Sequence, residues 1–207
     1  MRELEAKLVV PDASAFEKLA AADRLGTFAV RPGHWRLQQD TYLDTEGMRL
    51  RDAGYACRLR HTGHRAFAQL KGLGRVVGGV HDREEIEHEL DNPSIGALLR
   101  LREPPGRLVR RVVGDERIVV LFTVVTQRRV SLVADGTHEC FELALDRARF
   151  FGPRGEREFL ELELESLDGD RERLEQVADG LRQRYGLAAS ELSKFERGLH
   201  WVGVEAG

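Results

Sequence analysis

Apolar and polar positions alternate strictly at the start of the chain. In MRELEAKL, Glu3, Glu5 and Lys7 share one parity and Leu4, Ala6 and Leu8 the other, the pattern of a strand with one ionised and one apolar face. DASAFEKLAAADRLG then reads as a helix, with Ser14 and Glu17 as a capping box, Phe16, Leu19 and Ala20 as its apolar stripe and Gly26 as its stop. Strand-like segments follow at short intervals, QQDTYLDT, YACRLRH, AFAQLKG and HDREEIEHEL, with turn residues between them. PSIGALLRLREPP predicts a short helix capped by Ser94 and ended by Pro104 and Pro105. A second strand set comprises IVVLFTVVTQRRVSLVA, HECFELALDRARF and EFLELELES. Two helices close the pattern: Leu174, Val177, Ala178 and Leu181 form one stripe, and Leu192, Phe195 and Leu199 another.

These elements predict an α+β architecture, rich in strands, with helices at its periphery. Short turns favour antiparallel pairing, and hence a curved sheet or closed barrel over a parallel sheet with crossovers. There is no short tandem repeat. EPPGR, residues 103 to 107, is the best candidate seam in a chain otherwise read as one domain over residues 1 to 207.

The later strands repeat the charged row of the first. Arg58 and Arg60 flank Leu59, Gln69 and Lys71 flank Leu70, and Arg83, Glu85 and Glu87 share a parity. Glu161, Glu163 and Glu165 alternate with Leu160, Leu162 and Leu164. Any one row is explained by a solvated strand face; together they describe a sheet with one apolar and one densely ionised side. With helices on the apolar side, the ionised side is either bare to water or folded inward as a barrel lining. Inside a lumen, two carboxylates about 5 Å apart repel by roughly 3 kcal/mol at an effective dielectric near 20. Lys7, Arg58, Arg60, Lys71 and Arg83 offset such rows only partly. Bound Mg²⁺ or Mn²⁺ would do the rest, and the basic groups would be left to hold an anion such as a polyphosphate.

Composition narrows the field. The 207 residues are 42% hydrophobic, enough for a core, and 32 Lys plus Arg against 35 Asp plus Glu give a net charge of -3, so bulk charge offers no argument for nucleic acid or a membrane as partner. No apolar run approaches the roughly 18 residues of a membrane span, and the N-terminus lacks a signal region, which leads us to expect a cytoplasmic location. Cys57 and Cys140 lack paired metal or redox spacing and read as reduced packing residues. His61 and His64 in RHTGHRA read as turn residues, and KGLGRVVGG, which matches neither GxGxxG nor a P-loop, as a mobile strand connection. Trp35 and Trp201 read as packing or rim aromatics, and DRERLEQ as a solvated helix face.

The ordered set ELEAK, TYLDT, LRDAGYACRLR, AQLKG, DREEIE, TQRR, FELALD, EFLELELE and LSKFERGL resembles the successive motifs of the CYTH family, the triphosphate tunnel metalloenzymes. It is most similar to the bacterial inorganic triphosphatase branch, whose members often carry a C-terminal helical CHAD domain, so such a domain in a longer natural chain is one expected partner. The resemblance implies an eight-stranded antiparallel β tunnel. It makes Glu3, Glu5, Asp146, Glu161 and Glu163 metal-binding acids, with Glu165 at the rim. Arg58, Arg60 and Lys71 would grip phosphate oxygens, and Lys7 would bind phosphate or orient water. Arg83 and Glu85 look like the next inward pair, with Glu87 a weaker member. Arg128 would be the tunnel arginine of TQRR unless a one-residue slip substitutes Arg129, and Lys194 would reach in from a helix near one mouth. The implied activity is Mg²⁺- or Mn²⁺-dependent hydrolysis of inorganic triphosphate to pyrophosphate and phosphate, with Lys7, Glu85 and Arg128 closest to the chemistry and either a tunnel Glu or Lys7 taking the proton. Thiamine triphosphatase, class IV adenylyl cyclase and a non-catalytic polyphosphate-binding module are the alternatives.

Overall fold

A computed structural model describes residues 2–203. The first half runs β1 (Arg2–Val10), α1 (Ala13–Ala20), β2 (Arg24–Leu25), β3 (Phe28–Val30), β4 (His34–Thr45), α2 (Arg49–Asp52), β5 (Tyr55–Thr62), β6 (Arg65–Gly72), β7 (Arg75–Val77), β8 (Val80–Leu90) and α3 (Ile95–Arg100). The second runs α4 (Pro104–Val113), β9 (Ile118–Asp135), β10 (His138–Gly152), β11 (Gly155–Ser166), α5 (Arg171–Tyr185), β12 (Ala188–Ala189) and α6 (Lys194–Val202).

Eight strands pair in the order β10-β11-β1-β8-β6-β5-β4-β9, and β9 pairs back onto β10. Every pairing is antiparallel, so the sheet closes into a barrel with no exposed edge among these eight. Its outer face is apolar and is covered twice. α1 and α5 seat Phe16, Leu19, Leu174, Ala178 and Leu181 on Ala6, Leu8, Leu143, Leu145, Leu162 and Leu164. On the other side, α2, α3 and α4 bring Leu50, Leu98, Val109 and Val113 to Leu43, Cys57, Leu59, Ala68 and Leu70.

The lumen changes character along its length because each inward row changes residue type. Arg58 and Arg60 on β5 give way to Ala56, Asp40 on β4 to Tyr42, Arg128 on β9 to Val124 and Phe122, and Asp146 on β10 to Ala148 and Phe150. Phe195 and Leu199 of α6 pack among Tyr42, Ala56, Phe122, Val124, Ala148 and Phe150, so a helix stoppers the apolar end. α6 is anchored by a capping box in which the Ser193 hydroxyl accepts from Glu196 N and the Glu196 carboxylate accepts from Ser193 N at 2.8 Å. Asp44, fully buried, accepts from the backbone N–H groups of Leu50 at 2.8 Å and Arg51 at 3.0 Å, which fixes α2 at the end of β4.

Several local expectations change. Asp12, not Ser14, caps α1, its carboxylate accepting from Ala15 N at 2.8 Å. The helix stops at Ala20, and Gly26 (φ 60°) serves the tight turn between β2 and β3. The competing signal was the hairpin: a positive-φ glycine suits a turn better than the end of a helix already stopped. Pro104 and Pro105 do not end α3, which stops at Arg100; they open α4, where a missing N–H costs nothing. KGLGRVVGG is no free connection, since β7 within it pairs with β8. Both cysteines are free and buried, and burial, then Asp44, pushes the Cys57 thiol up to about 12. Trp201 packs beside α6's cluster, while Trp35 is exposed on the outer face beside Phe16. No helix among the described residues is long and apolar enough to cross a membrane.

A side-chain carbon added at Gly198 would overlap the Phe122 ring. Gly198→Ala, which in an exposed helix would gain up to about 1 kcal/mol, is therefore expected to lower stability by about 1–3 kcal/mol through overpacking. Urea denaturation checks the sign.

Candidate functional site

The ionised end of the lumen is a cavity of about 200 Å³, lined by Glu3, Glu5, Lys7, Arg58, Lys71 and Arg83 among others. Period-two alternation on each strand delivers the charges, and antiparallel register sets opposite signs side by side.

Three ionic groupings fill it. In the first, Lys194 Nζ lies 2.8 Å from Asp146, 2.5 Å from Glu161 and 2.8 Å from Glu163. Arg128 forks onto Asp146 at 2.7 and 2.6 Å and also contacts Glu163, while Lys7 donates to Glu5 at 2.9 Å and to Glu163. In the second, Lys71 donates to both oxygens of Glu3 at 2.9 and 2.7 Å and lies 3.4 Å from Glu85, and Arg83 donates to Glu5 at 2.5 Å. In the third, Arg60 forks onto Asp40 at 2.7 and 2.9 Å, and Arg58 reaches Asp40 at 3.4 Å, the Tyr42 hydroxyl at 3.3 Å and Gln69 at 2.6 Å.

Burial works against each ion, and the partners reverse it. For Glu5 burial is opposed by Lys7 and Arg83, for Asp40 by Arg58 and Arg60, and for Glu163 by Arg128, Lys194 and Lys7, so all three carboxyls stay below their ordinary range. Lys7, Arg128 and Lys194, also buried, are held protonated by the same contacts. Glu165 behaves differently: burial, then Glu3, Glu5 and Glu142, push it up to about 7. Arg36 is pushed the other way for a cation, lowered by burial and then by Arg128, and its Nε is buried with no hydrogen-bond partner.

Asp146, Glu161 and Glu163 each offer a carboxylate oxygen within 4.8 Å of the others, and Glu161 Oε1 is buried without a hydrogen-bond partner. An all-oxygen donor set with an unused acceptor fits a hard divalent cation once the Lys194 ammonium, which now contacts all three carboxylates, gives way to it.

The CYTH domain family model matches residues 1–199. The chain belongs to the CYTH family. A Hippeastrum protein, assigned as an adenylyl cyclase and reported to have a dominant triphosphatase activity, is 27% identical with a TM-score of 0.69, the match covering 93% of each chain. An adenylate-cyclase-assigned protein of Bacillus halodurans is 18% identical with a TM-score of 0.66 over 94% of this chain and 96% of its own. A Pyrococcus horikoshii protein is 20% identical with a TM-score of 0.54 over 95% and 96%. These last two are similar in fold.

In this CYTH barrel, the charged residues proposed from the sequence to bind metal or phosphate face the lumen. Glu3, Glu5, Lys7, Arg58, Arg60, Lys71, Arg83, Glu85, Arg128, Glu163 and Lys194 line the cavity, while Asp146 and Glu161 are fully buried against Lys194. Arg128, not Arg129, is the inward arginine, since Arg129 instead donates to Ser131 at 2.8 Å. Glu87 and Glu165 also line the cavity. Arg36, Asp40, Tyr42 and Glu142 went unremarked in the sequence. Yet the first three share a parity in RLQQDTY and Glu142 shares that of Asp146, so counting by twos would have found them.

Asp40→Asn leaves two guanidiniums around a neutral group and is expected to cost about 3–5 kcal/mol near neutrality. Because the Asp40 carboxyl titrates below its ordinary 3.8, the folded chain binds fewer protons there than the unfolded one. The stability it contributes is present above that value and lost on acidification. The difference between parent and variant in urea unfolding should accordingly shrink as the pH falls below about 3.8.

Proposed function

We propose that the chain is a metal-dependent phosphoanhydride hydrolase whose substrate is inorganic triphosphate, split to pyrophosphate and phosphate. The observation that carries this reading is the enclosed lumen in which Arg36, Arg58, Arg60, Lys71, Arg83 and Arg128 converge beside the oxygen cage of Asp146, Glu161 and Glu163. Pure anion binding calls for bases alone; acids in such number serve a cation as well.

Glu3, Glu5, Asp146, Glu161 and Glu163 would hold Mg²⁺ or Mn²⁺, which when bound supplies Lewis-acid neutralisation of phosphoryl oxygens. The chain's own residues do the rest. The arginines present forks to pairs of phosphate oxygens, and Lys7, Lys71 and Lys194 act as point charges. Positioning and charge neutralisation are the main demands of phosphoryl transfer. Water's oxygen bonds the terminal phosphorus as the anhydride bond breaks, pyrophosphate leaves, and the water proton passes to a lumen carboxylate. Lys7, an ammonium already donating to Glu5 and Glu163, serves charge and orientation, and Arg128 stabilises the charge that builds on the transferred group.

The Hippeastrum relative supports a triphosphatase and also keeps the cyclase in view. The lining aromatics favour the inorganic substrate. The Tyr42 hydroxyl accepts from Arg58, its ring stacks on Phe122 at 4.8 Å, and Phe195 is packed against both. Neither ring is available to stack on adenine or thiamine.

Incubation with triphosphate, ATP and thiamine triphosphate, with Mg²⁺, Mn²⁺ or a chelator, tests the proposal. Phosphate released from triphosphate and stopped by the chelator is the expected result. Cyclic AMP from ATP would replace this reading with a cyclase, and binding without turnover with a binding module. Glu5→Gln is expected to lower metal-dependent turnover by about 100-fold or more while the far-ultraviolet circular dichroism of the barrel is kept.

A further inference from the structure

Cys140 and Phe141 are consecutive, yet both are buried in the same apolar cluster beneath α5. Straight alternation forbids this. The register of β10 against β9 shifts between Glu139 and Phe141, and the resulting bulge turns the Cys140 thiol away from the lumen that Glu142 and Ala144 line. The thiol meets the turn after β11, which is tied to the bulge by Leu167 N donating to Cys140 O at 2.9 Å.

On that turn, Asp168 Oδ1 accepts from Ser166 Oγ at 3.1 Å and from Asp170 N at 3.1 Å. Its Oδ2 lies 3.4 Å from His138 Nε2. His138, Cys140 and Asp168 each bring a donor atom within 4.8 Å of the other two. The turn's own hydrogen bonds therefore hold a nitrogen, a sulfur and an oxygen donor together. A cation already sits among them: Arg173 Nη1 is 2.9 Å from Asp168 Oδ2 and 3.7 Å from Cys140 Sγ, and its Nη2 is 3.3 Å from Asp170.

We propose that His138, Cys140 and Asp168 form a divalent-metal site outside the lumen, for a borderline ion of the zinc class held by one nitrogen, one sulfur and one oxygen with a fourth position open to water. Mixed soft and hard donors select such an ion, whereas the all-oxygen lumen suits Mg²⁺ or Mn²⁺. Binding releases the Cys140 proton to solvent, uses the neutral imidazole of His138, and turns the partly exposed Arg173 side chain out toward water. The ion would then clip the bulge of β10 to the turn that starts α5. Cys57 has no such neighbourhood, being packed in the separate core beneath α2, α3 and α4.

The test is a Co²⁺ titration of the full chain, thiols reduced, with Mg²⁺ in excess to fill the oxygen sites. A near-ultraviolet sulfur-to-cobalt band with visible tetrahedral bands, saturating at one Co²⁺ per chain and displaced by Zn²⁺, is expected. Cys140→Ala should abolish the band and Cys57→Ala keep it. His138→Gln and Asp168→Asn, both surface changes that leave the thiol in place, should weaken Co²⁺ by about tenfold or more. Arg173→Gln, by removing the resident cation, should tighten it. Absence of the band, its survival in Cys140→Ala, or unchanged affinity in His138→Gln would overturn the proposal. The optical signal needs no turnover, so this result is separate from that of the triphosphatase assay.

Discussion

Mutual neutralisation of ions in a space too small to hydrate them fully is the constraint on which this molecule depends. A carboxylate such as Asp40 or Glu163 is tolerable in the barrel's interior only because guanidinium and ammonium groups stand within hydrogen-bond reach. Antiparallel closure makes that possible: it brings strands far apart in sequence together, so that β1 lends Lys7 to an acid on β11 and β6 lends Lys71 to one on β1. An open sheet would have offered the same residues to water, where their attractions are weak.

This lattice is not what keeps the chain folded. Replacing buried ion pairs by well-packed apolar residues is often neutral or stabilising, and the two apolar layers outside the barrel, with the aromatic packing around α6, carry the burden of stability. The ionic interior is better understood as a binding surface held under tension by its own neutrality. Groups that neutralise one another at short range can exchange those partners for a more highly charged guest.

The rows of the lumen were legible in the sequence because a period of two is unforgiving. Once Glu3 or Arg58 is placed inward, the residues two positions away follow, and Arg128 is chosen over Arg129 by the same rule. Lys194 was a different case: nothing in helical spacing says that a lysine at the head of α6 will meet Asp146, Glu161 and Glu163, and only the family resemblance of LSKFERGL pointed to it. Punctuation was read least well. Asp12 and Ser14 are both competent caps, and proline ends one helix as readily as it begins the next, so the choices fell to tertiary packing. The bulge at Cys140 was invisible for a related reason, since it breaks the parity on which the rest was read.

The stopper formed by α6 has a consequence for traffic. With Phe195 and Leu199 wedged among Tyr42, Phe122, Val124 and Phe150, the bore is a blind alley. Among the described residues a guest of the lumen has one doorway, through which it must both enter and leave. A long polyanion could present its tip to such a chamber but could not be threaded through it.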